Sequence, residues 1–81
     1  PAASVSADSF TDGVIDVISL IHQTGLATSR SDARRAVEQG GITVNGEKIT
    51  AIDTTFAKEI FEGEGCVVKK GKKNFRKVTV E

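Results

Sequence analysis

Apolar residues recur at Val14, Val17, Ile18 and Ile21, the i, i+3, i+4, i+7 spacing of one helix face. Thr11 is a suitable N-cap, and Phe10 before it can pack on Ile15 as a hydrophobic staple, so the pattern predicts an amphipathic helix from Thr11 to a C-terminal stop at Gly25. A second, narrower stripe follows at Ala33, Ala36 and Val37. Ser29 can cap this helix, Asp32 three residues on completes a capping-box pattern, and Gly40-Gly41 ends it. The link from Leu26 to Thr28 is too short to let the helices separate, so they are expected to pack as a pair through these small residues.

Asn45-Gly46 is the strongest short hairpin signal in the chain, because both residues tolerate the positive φ angles of a type I′ turn. A two-residue loop there pairs Val44 with Glu47, Thr43 with Lys48 and Ile42 with Ile49. Ile42, Val44 and Ile49 then face inward and Lys48 outward. Residues 50–65 carry a weaker pattern, with Phe56, Ile60 and Phe61 as core anchors and one helical turn near Ala57–Phe61. Cys66–Lys70 and Asn74–Val80 read as two strands, with two registers open. A Gly71-Lys72 loop pairs Val68 with Phe75, and a Lys70-Gly71 loop pairs Cys66 with Phe75. Residues 1–9 are small, polar and aperiodic, and are expected to be a flexible linker from an upstream domain, leaving 10–81 as a single domain. The fold class is α+β, a helix pair followed by a small antiparallel sheet of hairpins.

Eighty-one residues allow one domain with a modest core. The absence of Met leads us to expect a segment of a longer protein. One Cys and one His offer neither an internal disulfide nor a usual metal cluster, and no apolar run approaches a membrane span, so we expect no metal, no cofactor and a cytoplasmic setting.

The formal net charge is zero, but the charges are segregated. Residues 1–28 hold Asp8, Asp12 and Asp16 with no Lys or Arg, and residues 51–65 hold Lys58 against Asp53, Glu59, Glu62 and Glu64. Residues 66–80 hold Lys69, Lys70, Lys72, Lys73, Arg76 and Lys77 with no acid. A surface of one sign steers a charged partner even on a neutral molecule. The second helix adds Arg30 and Arg34 along one flank of its stripe and Arg35 on the opposite side. Forked guanidinium groups beside free backbone N–H groups suit a phosphate. The plainer reading is a solvated face on which Glu38 pairs with Arg34 or Arg35.

Catalytic patterns fail on inspection. Around Gly71-Lys72, Cys66 stands where a phosphate loop needs its first Gly, and Lys73 replaces the metal-binding Ser or Thr. Gly63-Glu64-Gly65 precedes a strand, the wrong order for a dinucleotide fold. Cys66 lies in an apolar strand with no base paired to it, and His22 is a cation-tolerant residue in a last helical turn. No catalysis is expected from this chain.

The run of a short apolar helix ending in Gly-Leu-Ala, then SRSDARR, Ala-Val, a Gly pair and the strand VNGEKI resembles the RNA-binding module named after ribosomal protein S-four. With the closing GCVVKKGKKNFRKVTV, it is similar to the C-terminal domains of bacterial-type tyrosyl-tRNA synthetases. The resemblance covers about Val14 to the end. It implies RNA binding, and the cations that the charge pattern and the helix face single out for phosphate contact are Arg30, Arg34, Arg35 and Lys48 at one place and Lys69, Lys70, Lys72, Lys73, Arg76 and Lys77 at another. It further implies tyrosine tRNA as partner, held at its long variable arm and anticodon stem. The upstream catalytic domain would be that of an ATP-binding, homodimeric ligase. RNA-modifying enzymes and ribosome-associated proteins carry the same module, so they are alternative parents. A protein-interaction module with a basic docking hairpin is a second class. DNA reading by the second helix is weaker, since no Asn or Gln is well placed beside its arginines. Lacking Tyr and Trp, the chain is expected to recognise RNA by phosphates and shape, with almost no exposed aromatic surface.

Overall fold

The computed structural model describes residues 2–63, 65–71 and 73–80. In chain order these form β1 (Ala2–Val5), β2 (Val14–Asp16), α1 (Val17–Gln23), α2 (Arg30–Glu38), β3 (Ile42–Val44), β4 (Glu47–Ile49), β5 (Thr55–Ala57), β6 (Cys66–Lys70) and β7 (Asn74–Val80), with 3₁₀ turns at Ala7–Ser9 and Lys58–Phe61. The class is α+β as expected. A five-stranded sheet in the order β1-β7-β6-β3-β4 is covered on one face by the helix pair, and β2 and β5 form a separate two-stranded ribbon.

The second helix follows its local signals closely. Ser29 Oγ accepts the Asp32 amide at 3.1 Å, and Asp32 Oδ2 accepts the Thr28 amide at 3.4 Å, one residue earlier than a regular capping box would reach. At the other end Gly41 N–H donates to Ala36 O and Gly40 N–H to Val37 O, the paired bonds of a Schellman stop, with Gly40 at φ 73°. Ala33, Ala36 and Val37 are buried against α1, as the small-residue stripe requires.

The first helix starts later than its periodicity predicts. Thr11 and Val14 exchange both backbone hydrogen bonds across Asp12-Gly13, whose φ angles are 53° and 82°. Asp-Gly is itself a type I′ signal, and it turns the chain into β2 before Asp16 caps α1 by accepting the Ser19 amide at 3.0 Å. The staple on Ile15 therefore does not form. Phe10 instead meets Phe61 edge to face, with ring centroids 5.7 Å apart. Gly25 follows the C-terminal end of α1 at φ 81°, the stop assigned to it.

Residues 2–9 are not a free linker. Val5 is buried, and β1 pairs in parallel with β7, Ala3 opposite Val78 and Val5 opposite Val80, so the sheet is mixed rather than purely antiparallel. Burial of Val5 and the ladder to β7 order a segment that has no strong local preference of its own.

The Asn45-Gly46 hairpin has the predicted register, with φ 51° and 84° at the turn. Asn45 also extends the sheet beyond the turn. Its N–H donates to Val67 O at 2.8 Å and its Oδ1 accepts the Val67 amide at 2.9 Å. The last hairpin takes neither register left open by the sequence: Cys66 pairs with Val78, Val68 with Arg76 and Lys69 with Phe75, around a three-residue connection, 71–73. This pairing places Cys66, Val68 and Val78 together on the buried face. A shift by one residue would drive that set into solvent. Phe61 is buried from the predicted turn after β5, with Phe56 and Ile60 packed around the core.

Candidate nucleic-acid interface

Arg30, Arg34 and Arg35 all project from α2 and are exposed, but their surroundings differ. Arg30 Nη2 donates to Ser19 Oγ at 2.8 Å, tying the start of α2 to the first turn of α1. Asp16 lies beside it. Burial works to raise the Asp16 carboxyl, but hydrogen bonds from the Ser19 hydroxyl and amide and from its own amide, with the Arg30 charge, outweigh it and leave the group below its ordinary value. Asp16, Ile18, Arg30, Ser31, Arg34 and Ile52 line a cleft of about 300 Å³. Asp16 in its wall offsets one of the two guanidinium charges, so this cleft holds an anion less strongly than two unopposed arginines would. Arg34 approaches Glu38 only at 4.0 Å, both side chains being more than half exposed, a contact worth little in water. Among the described residues, Arg34 and Arg35 are thus the cations of α2 without a close internal hydrogen bond, and they face solvent.

The lysines also divide. Lys70 Nζ donates to Asp32 Oδ2 at 3.2 Å, locking β6 to the capping residue of α2. That ammonium, together with the Thr28 amide, holds the Asp32 carboxyl below its ordinary value. Arg76 is half-buried on the helix-facing side, where its guanidinium donates to Phe75 O at 2.9 Å. Lys69 and Lys77 project from the opposite, solvent-facing side of the sheet, and Lys48 shares that side while its stem runs close over Gly40. Lys73 is exposed at the hairpin tip, and Lys72 lies outside the described residues.

Of the ten cations singled out in the sequence, the nine that lie among the described residues are spread over separate surfaces, and Lys48 falls with the sheet lysines rather than with the arginines. Arg34 and Arg35 belong to the helix layer, Lys48, Lys69 and Lys77 to the outer sheet face, and Arg30 and Lys70 make internal contacts between elements. Sequence reasoning missed one residue on the outer face. Phe75 is 43% exposed directly opposite Lys69, which corrects the expectation of almost no exposed aromatic surface. The signal was the alternation itself. Once Cys66, Val68 and Val78 point inward, a three-residue connection sends Phe75 out.

Burial pushes the Cys66 thiol up to about 11, so it is not a nucleophile at neutral pH. Among the described residues no group of three His, Cys, Asp or Glu side chains is placed to hold a metal, and no helix is long and apolar enough to cross a membrane.

The chain is thus a small α+β domain with cationic groups on both its helix layer and its open sheet face. The chain belongs to the family described as the tyrosine-tRNA ligase SYY-like C-terminal domain, whose family-wide profile matches residues 2–78. Among similar proteins, the tyrosine-tRNA ligase of Lachnoclostridium phytofermentans is 45% identical over 76 residues, covering 93% of this chain and 18% of the relative. That of Treponema denticola is 39% identical over 79 residues, 96% of this chain and 19% of the relative. That of Clostridium tetani is 30% identical over the full 81 residues, again 19% of the relative. The chain thus spans about a fifth of the length of these curated relatives.

Proposed function

We propose that this domain holds structured RNA for a tyrosine-tRNA ligase of the cytoplasm, gripping tyrosine tRNA at its variable arm and anticodon stem while a separate catalytic domain, in a homodimeric parent, carries out the chemistry. The observation that carries this reading is the separation of two cationic surfaces on one small body. Arg34 and Arg35 lie on α2, whereas Lys69 and Lys77 lie on the far side of the sheet, and the largest extent of the molecule is 28 Å. An RNA contacts both only if its own shape presents phosphates at both places, and two moderate contacts on a rigid body reinforce each other only under that condition. Family membership supports the same partner.

The test is competition at physiological salt between tyrosine tRNA, the same tRNA with its variable arm deleted, and an unrelated hairpin of similar charge. The intact tRNA is expected to compete at least about tenfold better than either, a gap within what effective concentration supplies. Equal competition by all three leaves only a nonspecific cationic surface. A log K that does not change with log salt points to a protein partner for the basic hairpin instead.

A further inference from the structure

We propose that the outer face of β6 and β7 is a stacking platform for one unpaired nucleotide of the bound RNA, its base on the Phe75 ring and its flanking phosphates on Lys69 and Lys77. The proposal rests on the RNA-binding reading above and adds to it a contact with a base.

The register builds the platform. Lys69 stands directly across from Phe75, and Val67 directly across from Lys77, so two rungs of the sheet each place one cation beside one apolar side chain. Side chains directly opposite in an antiparallel pair have Cβ atoms about 5 Å apart. An ammonium on a lysine stem can therefore reach a phosphate attached to a base that covers the neighbouring ring. Phe75 is 43% exposed and Val67 36%, although each is the second residue of a strand and paired in the ladder rather than in a loop. A rigid β backbone fixes the ring, which lowers the entropic cost of stacking on it.

Charge and size select the occupant. Thr43, opposite Lys69 on β3, and Lys48, opposite Thr43 on β4, continue the Phe75 rung across the sheet. Among the described strand residues on this side there is no Asp or Glu. A second copy of the chain would bring the same cations against themselves. A protein partner would need an apolar core far larger than one Phe and one Val. A base with phosphates on either side needs just this much apolar surface and this sign of charge. Paired RNA hides its base faces, so the platform discriminates between unpaired and paired segments.

The experiment uses the 81-residue chain and two fluorescently labelled probes of equal nucleotide count, a single-stranded RNA of mixed sequence and an RNA hairpin whose loop is a non-nucleotide linker, so that every base is paired. Phe75→Ala is expected to weaken binding of the single strand by about tenfold, the range found for removing one stacked base, and to leave the paired hairpin unchanged. Because Phe75 is exposed, the variant keeps its thermal melt. Phe75→Trp retains affinity and introduces the chain's sole indole, whose fluorescence the single strand quenches and the hairpin does not. Lys69→Ala with Lys77→Ala weakens both probes, because their role is charge. An unquenched indole, or wild-type affinity of Phe75→Ala for the single strand while the lysine pair still matters, overturns the platform and leaves RNA binding standing. Failure of the unmodified chain to bind the single strand while it binds tyrosine tRNA overturns the platform, and failure to bind tyrosine tRNA as well overturns the underlying RNA reading itself.

Discussion

Replacing Gly65 with alanine lowers the unfolding free energy by about 2–4 kcal/mol, the sum of a left-handed backbone penalty of about 1–2 kcal/mol and a backbone clash. Gly65 precedes β6 at φ 86°, and a Cβ there would stand 2.6 Å from the Val78 carbonyl oxygen and 3.0 Å from Thr79 Cγ2. The oxygen belongs to the main chain of β7, so relief requires the strands to part where Cys66 and Val78, both fully buried, are paired. Gly63 is the matched control. Its φ is 69°, but a Cβ would meet nothing within 4 Å, so Gly63→Ala pays the conformational penalty alone. Urea melts of both variants separate the two costs. Equal losses would mean that close approach of β7 contributes nothing at Gly65. For a domain of this size the larger loss is a substantial share of total stability, on the order of 5–15 kcal/mol at most.

Arg34→Ala combined with Arg35→Ala is expected to reduce tyrosine tRNA affinity on the order of a hundredfold, taking each charge-assisted contact at about 1.5 kcal/mol. The same double variant flattens the slope of log K against log salt by about 1.4–1.8, two phosphates at 0.7–0.9 each. The thermal melt stays where it was, because both side chains are exposed and neither makes a contact that a core residue depends on. Arg30→Ala provides the contrast. It removes the 2.8 Å bond to Ser19 and the charge beside Asp16, so it costs stability, whereas its direct effect on RNA is smaller. Filter binding across a salt series reads all three quantities. Unchanged affinity in a folded double variant would remove α2 from the interface and leave the sheet face as the sole contact.

The parts of the fold legible in the sequence are those whose causes lie within a few residues. Ser29, Asp32 and Gly40-Gly41 bracket α2 because a cap and a left-handed stop are satisfied by neighbours in the chain. Asn45-Gly46 dictates the β3–β4 register because positive φ at both turn residues leaves one way to pair the strands. Asp12-Gly13 is the same kind of signal. Its competition with an apolar stripe of helical period hid it, and the stripe is satisfied by β2 and α1 in succession.

Tertiary structure decided what depends on distant partners. The strand Ala2–Val5 exists because β7 offers it a ladder and the core has room for Val5, neither of which local propensity encodes. The β6–β7 register is set by burial of Cys66, Val68 and Val78 in the common core, and that one choice turns Phe75 and Lys69 toward solvent. The candidate site divides in the same way. Sequence named the cations, since charge and composition are local. Which of them are spent on Ser19, Asp16 and Asp32, and which stay free for a partner, follows from contacts spanning 11 and 38 residues, beyond the reach of any periodic pattern.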